Sequence, residues 1–455
     1  MVCESNPDRK NTRIVILGGG LAGMSAALSL LEKGFDVTLV ERRPFLGGRV
    51  FSFQDPETGL EVDNGQHVFL GCCSYYIRYL KLIGSYVNTH IQEGMNIEVV
   101  SESKKGALRS RPFWGRLHLL PAFIRYPHLS FTEKLLAAYC LLKIRFTNRS
   151  KQLSLDNESA YDWFRKNMQS ERIIKNLWNV IILPALNDGV RNVSADMALM
   201  VLQDGILGTP AASSVGYSKV GLTTLNGDPA GALIEANGGK MRLGVGVRNF
   251  NMCNDLVKSV VLSDGTTIQA DTYISALPHR VLSKLISVVP NMEEIVSNLE
   301  TLEESPIIGI HLWYDRQIMD EDFLAFIDSP IQFVFNKNSN QDTTGSSNQY
   351  ICISLSGAWE YIDVPKDDLI ERFTREMTRL FPRAMEAVVV RALVVKERSA
   401  TIRCIPGHYK LRPGQVTPVP NLFLAGDWTD TGWPATMEGA VRSGILAADQ
   451  VISIT

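Results

Sequence analysis

Three glycines, Gly18, Gly20 and Gly23, stand at the spacing G-x-G-x-x-G between a β-branched run, Arg13 to Leu17, and a helical pattern from Met24 to Lys33. Each answers a different steric demand. The first permits a tight turn, the second lets bare backbone approach a pyrophosphate, and the third lets the helix lie close on the strand. Leu21 and Ala22, between the last two glycines, place amides at the helix start, where the helix dipole favours phosphate charge. Glu41 closes a second strand, Phe35 to Val40, at about the 20-residue distance at which a carboxylate meets ribose hydroxyls and repels a 2′-phosphate. The chemistry implied is the binding of an adenosine dinucleotide.

A second constellation lies near the other end of the chain. Asn421 to Ala425 reads as a strand, Gly426-Asp427-Trp428-Thr429-Asp430-Thr431-Gly432-Trp433-Pro434 as a turn, and Ala435 to Gln450 as a helix. Asp427 has two readings, a ligand for cofactor hydroxyls or an ordinary helix cap. A third piece runs from Gly238 to Val247, then through Val257 to Leu262, the turn at Asp264-Gly265, and Asp271 to Pro278, giving strand, hairpin and strand. Gly244 and Gly246 are not a second dinucleotide fingerprint, because Asn249 holds the third glycine position and no helix pattern follows.

Strands alternating with helices predict an α/β fold with a Rossmann-like nucleotide-binding domain assembled from separated stretches. The bulk composition agrees with an ordinary globular chain of 455 residues, 45% hydrophobic and 21% charged. With 46 Lys+Arg against 48 Asp+Glu, the net charge of -2 gives no global field for nucleic acid, so no nucleic-acid partner is expected. The 7 cysteines, Cys3, Cys72, Cys73, Cys140, Cys253, Cys352 and Cys404, show no C-x-x-C spacing. Reduced thiols, no metal centre and a cytoplasmic location are expected. Met1 to Arg13 lacks the apolar run of a signal peptide, and no apolar stretch is long enough to cross a membrane.

Arg42-Arg43-Pro44-Phe45-Leu46-Gly47-Gly48-Arg49 resembles the G-G-R segment of the FAD-dependent amine oxidase and carotenoid desaturase superfamily. The resemblance implies FAD rather than NAD, with Arg42, Gly48 and Arg49 on the flavin side of the cofactor. It also implies that Asp427 meets ribityl or pyrophosphate groups, that amides near Thr436 and Met437 face the flavin pyrimidine, and that the Val247 backbone meets the adenine. Asp63-Asn64-Gly65-Gln66-His67-Val68-Phe69-Leu70-Gly71-Cys72-Cys73 resembles the isoalloxazine-side loop of squalene-associated flavin enzymes, the hydroxysqualene dehydroxylases. Gly65, Gln66, His67 and Val68 are thereby implied to border the flavin. His67 has two readings, a group that polarises a substrate oxygen or a histidine held by backbone. Cys72-Cys73 is expected to be packing rather than a vicinal disulfide.

The implied organisation is a discontinuous FAD domain, 1–75, 232–285 and 397–455, carrying an inserted α+β substrate domain, 76–231 and 286–396. Asn336 to Asn348 reads as an exposed loop between strands Ile331 to Phe335 and Gln349 to Ser356. The implied activity is reductive dehydroxylation of hydroxysqualene to squalene, in hopanoid and squalene biosynthesis. Desaturation of a phytoene-like or ζ-carotene-like polyene is the alternative, and a non-catalytic prenyl-lipid binder of the same fold the second. A long-chain isoprenoid substrate is the expected partner, with an external electron donor or acceptor that the sequence leaves open.

Arg109 to Arg145 interleaves Arg109, Arg111, Arg116, Arg125, Lys134, Lys143 and Arg145 with aromatic and aliphatic residues, against the acid Glu133. That composition suits an anionic membrane surface and peripheral attachment to the inner face of the cytoplasmic membrane. The alternative is a pair of core helices with a solvated basic face.

Overall fold

The computed structural model describes residues 12–338 and 348–455. The expectations for Met1 to Asn11, Cys3 included, and for residues 339–347 of the polar loop lie outside the described residues.

The run Arg13–Leu17 forms β1, followed by α1 (Leu21–Glu32) and β2 (Asp36–Glu41). Lys240–Leu243 forms β3, Thr272–Ser275 β4, Leu422–Leu424 β5 and Met437–Ile454 α2. The strands make one five-stranded sheet in the order β3-β2-β1-β4-β5, and every neighbouring pair is parallel. Ile14, Val15, Ile16 and Leu17 are buried whichever way they point, as a strand covered on both faces requires. α1 and α2 lie against each other, with Ser25 Oγ donating to the Val441 carbonyl at 3.1 Å. Sequence segments from both ends of the chain therefore build the same core.

A second, seven-stranded sheet follows the order Val389–Ile402, Glu304–Tyr314, Gln349–Ser356, Phe333–Asn336, Phe323–Phe326, Asn96–Val100 and Lys105–Arg109. It is antiparallel except where Phe323–Phe326 runs beside Asn96–Val100. The helix Lys366–Leu380 packs on it through Leu369, Phe373 and Met377. Helices between residues 120 and 206 bury a separate core in which Phe164 and Trp178 stack at 5.1 Å.

All four of the expected boundaries fall inside elements. Position 75 lies within Ser74–Leu82, 232 within Asp228–Ala236, 285 within His279–Ile286 and 397 within Val389–Ile402. Val389–Ile402 is an edge strand that carries the charged run Lys396-Glu397-Arg398 across the last of these positions. The helix Asp228–Ala236 joins the α1 core through Ala230 and Ile234, so it starts ahead of the position where the nucleotide-binding stretch was expected to resume.

Residues 112–146 form short helices, Pro112–Leu117 and Leu120–Arg125, and a longer one, Phe131–Phe146. In the last, Ala137, Cys140 and Ile144 face the core, while Phe131, Leu135, Tyr139, Leu142 and Phe146 are exposed. Phe113 is 99% exposed, with Trp114, Leu117 and Ile124 also outward. The segment thus buries one face in the core and leaves apolar as well as basic side chains on the other. No helix among the described residues is long and apolar enough to cross a membrane.

Candidate cofactor and active site

The glycine loop is as tight as its spacing requires. A side chain at Gly23 would begin 1.9 Å from the Gly18 carbonyl oxygen, so α1 can start only where it does because that position is bare. α1 opens at Leu21 rather than Met24, with Gly20 as a cap that has no side chain to contribute. Gly48, in the left-handed region at φ 62°, meets Gly20 so closely that a Cβ on it would lie 2.9 Å from the Gly20 Cα. The two glycine bends therefore face each other through backbone alone.

Glu41 is buried at the end of β2. One carboxylate oxygen accepts the Gly19 N–H at 2.7 Å and the other the Arg43 N–H at 2.8 Å. Each oxygen retains a lone pair, which suits a ribose diol. The Val245 N–H reaches the Glu41 carbonyl at 3.1 Å, so the stretch leading to Val247 runs beside this end of the site. Arg42 is exposed and makes no side-chain hydrogen bond or ion pair among the described residues, whereas Arg43 donates to the Gly48 carbonyl at 2.8 Å.

Arg49 pairs with Asp427 and donates to the Ala400 carbonyl at 3.0 Å. Asn64 Nδ2 donates to the Arg49 carbonyl at 2.9 Å. The G-G-R loop, the Gly426-Asp427 turn and the loop opening at Gly65 are thereby brought to one place. Asp427 does not cap α2. Thr436 does, its hydroxyl accepting the Gly439 N–H at 3.3 Å, with Met437 as the first helical residue.

His67 Nδ1 lies 2.9 Å from the Gly65 carbonyl. A carbonyl only accepts, so Nδ1 carries the proton and the neutral ring presents Nε2 as an acceptor. Burial pulls its imidazolium below the ordinary range. Of the two readings of His67, this is the geometry of a histidine held by backbone. Val68 pairs with Tyr217 in a small antiparallel sheet and is 38% exposed. Gln66 Oε1 accepts from Lys337 Nζ at 3.1 Å. Cys72 and Cys73 are free thiols.

Lys337 was missed from the sequence. It is buried and pairs with buried Asp63 at 2.9 Å. Burial opposes ionisation of Asp63, yet the Lys337 ammonium and the bonds from Leu222 N–H and Ser52 Oγ hold its carboxyl below the usual range. His311, also missed, is buried with its Nδ1 2.7 Å from the Tyr350 hydroxyl.

Whether these residues fit a flavin dinucleotide is tested by the polar atoms left over. Asn64 Oδ1, Ser275 Oγ, His279 Nε2 and His311 Nε2 are buried without partners among the described residues. Ser275 ends β4, at the carboxyl edge of the sheet where such folds bind ligands. Buried polar groups are normally satisfied, so atoms left bare beside the glycine bends and the Arg49–Asp427 pair fit a polar group bound there. Among the described residues no cluster of His, Cys, Asp and Glu suits a metal ion.

The family of flavin-containing amine oxidoreductases matches residues 21–452. The chain belongs to that family. Member and cofactor agree with the cradle: the protein is an FAD-dependent oxidoreductase, with a Rossmann-like α/β nucleotide-binding fold. It is 27% identical to a 15-cis-phytoene desaturase of Synechococcus elongatus over 97% of this chain and 96% of that one. It is 28% identical to a zeta-carotene desaturase of Zea mays over 95% of this chain and 82% of that one. A redesigned putrescine oxidase has a similar fold, with a TM-score of 0.75, 17% identity and coverage of 98% and 99%.

Proposed function

We propose that the protein is an FAD-dependent desaturase acting on a long isoprenoid chain. The observation that carries this is the likeness to phytoene and zeta-carotene desaturases along nearly the whole chain, inserted segments included. The expectation of hydroxysqualene dehydroxylation rests on the motifs Gly65-Gln66-His67 and Gly426-Asp427-Trp428-Thr429, and the relatives favour its alternative. A non-catalytic lipid binder is set aside by family membership together with an intact Glu41, Arg49 and Asp427. When bound, FAD supplies two-electron hydride chemistry. The residues of this chain hold the dinucleotide, orient the polyene against it and keep water out. The test is anaerobic mixing of the oxidised holoenzyme with phytoene or ζ-carotene, following flavin bleaching and the conjugated product together.

The exposed apolar stripe gives this substrate a route. Phe113, Trp114 and Leu117, and Phe131, Leu135, Tyr139, Leu142 and Phe146, are exposed apolar side chains, and Arg116, Arg125, Lys134, Lys143 and Arg145 are interspersed with them in sequence. Such a surface is costly in water and suits the interface of an anionic bilayer. Peripheral attachment to the inner face of the cytoplasmic membrane is therefore part of this reading.

A further inference from the structure

His311 lies on the strand Glu304–Tyr314 two residues beyond Gly309, and so on the same face. It is 1% exposed. Its Nδ1 lies 2.7 Å from the Tyr350 hydroxyl, and Tyr350 is fixed by stacking on Trp313 at 4.4 Å between centroids. Among the described residues the Tyr350 hydroxyl meets no other polar group. With no other acceptor among the described residues the phenol O–H donates to His311 Nδ1, and burial, which holds it well above its ordinary range, keeps it protonated. Burial, and then the charge of Lys337, pull the His311 imidazolium down to about 4, so the ring is neutral. A neutral ring that accepts at Nδ1 carries its proton on Nε2. That N–H is buried and has no acceptor.

Two glycines lie close to it. A Cβ on Gly309 would sit 3.1 Å from His311 Nε2 and 3.9 Å from the Gly65 Cα. Gly65 adjoins Asn64, which holds the Arg49 carbonyl, so His311 Nε2 lies on the side of Gly65 and the cofactor cradle. His67, nearer in sequence, cannot supply a donor there, because its own N–H is engaged by the Gly65 carbonyl.

We propose that His311 is a catalytic residue that donates a hydrogen bond from Nε2 to a lone pair of the FAD ring beside Gly65, with Tyr350 as the positioning residue that sets the donor tautomer. The donor favours the electron-rich reduced ring over the oxidised ring, because a hydrogen bond to a charged acceptor is the stronger one. It therefore eases hydride uptake from an apolar substrate that offers no polar handle. The inference rests on FAD binding and holds for either direction of catalysis.

The test is the midpoint potential and visible spectrum of the full-length holoenzyme, without substrate. His311→Leu is expected to weaken the preference for the reduced ring about tenfold, a fall of about 30 mV for a two-electron couple. His311→Gln, which keeps an N–H, is expected to recover most of it. Gly309→Ala leaves His311 in place but sets a methyl against Nε2, and is expected to lower the potential in the same sense. Tyr350→Phe releases the tautomer and is expected to give a partial fall. Equal potentials and spectra in His311→Leu and wild type, at equal FAD content, would overturn the proposal. Should His311→Leu not fold, unchanged potentials in both Gly309→Ala and Tyr350→Phe overturn it. Wild-type protein that takes up no FAD would instead defeat the cofactor assignment beneath it.

Discussion

The guanidinium of Arg49 is paired with the carboxylate of Asp427 across 378 positions of sequence. This one contact joins the loop after β2 to the loop before α2, and so ties together the two ends of the chain that form the cofactor cradle. Asp427 is buried while the Arg49 side chain is 40% exposed, so solvent screens part of the attraction but none of the cost of leaving Asp427 alone.

Arg49→Met is accordingly expected to lower apoprotein stability by about 1–2 kcal/mol, below the range for a fully buried pair. FAD affinity should fall as well. Denaturant unfolding and flavin titration measure the two effects. Stability and affinity both equal to wild type would show that the pair does not organise the cradle.

Glu41→Ala removes the acceptor of two backbone N–H groups as well as a ribose ligand. Loss of charged hydrogen bonds to the ribose should weaken FAD binding by about 2–4 kcal/mol, roughly thirtyfold to a thousandfold in Kd. Glu41→Gln, which still accepts from one amide, should lie between. Normal flavin affinity in the Ala variant would put the ribose elsewhere.

Much of the cradle was legible because it is local. β1 spans the residues its β-branched run indicates, and Gly23 is bare for the reason its spacing implies. α1 starts ahead of the expected Met24 because a glycine cap leaves no side-chain signal. Lys337 and His311 were illegible for a different reason. Lys337 meets Gln66 over 271 positions, and only the pairing of Phe333–Asn336 with Gln349–Ser356, and of that strand with Glu304–Tyr314, brings both beside Gly65. A register between strands so far apart leaves no periodic trace in any one of them.

The Asp63–Lys337 pair makes an acid limb. The folded Asp63 carboxyl is held below its unfolded value, so its contribution is fully present above the unfolded value near pH 4 and is lost as pH falls through the folded one. Asp55, lowered to about 2 by its bond from Arg391, acts in the same direction. Asp63→Asn should leave the Lys337 ammonium buried without a counter-charge and cost about 3–5 kcal/mol at neutral pH. It should also flatten the fall in stability below about pH 4. Urea midpoints across that range are the measurement, and a wild-type slope in the variant would remove Asp63 from the acid response.

Membrane attachment should depend on the side chains that face outward. Phe113→Ser with Trp114→Ser removes apolar contacts of about 1.5–3 kcal/mol each when fully buried in the interface, and should cut binding to anionic vesicles at least tenfold. Arg116→Glu with Arg125→Glu should weaken it chiefly at low salt. Phe123, by contrast, is 8% exposed and belongs to the core. Phe123→Ser should destabilise the fold and leave vesicle affinity per folded molecule unchanged. Flotation of all variants as well as wild type would return the stripe to an internal role.

The direction of catalysis separates the desaturase from the dehydroxylase, and the two need different things of the protein. Desaturation takes a hydride and a proton from adjacent carbons and asks for an apolar chain held against the oxidised cofactor. Dehydroxylation runs on reduced cofactor and asks in addition for an acid beside the departing oxygen. His67 is poorly placed for that task, since its N–H is committed to the Gly65 carbonyl and burial keeps it neutral. The oxidised holoenzyme mixed anaerobically with phytoene should therefore bleach its flavin as conjugated product forms, one double bond for each flavin reduced. Reduced holoenzyme should leave hydroxysqualene unchanged. His67→Ala should loosen the Gly65 loop and slow bleaching by about tenfold, the scale of one lost hydrogen bond, without altering its pH profile between about pH 6 and 8, where a titrating acid would leave its mark. Squalene formed from the reduced enzyme, with no bleaching by phytoene, would reverse the assignment, and a pH profile that changes in His67→Ala would make His67 the acid after all.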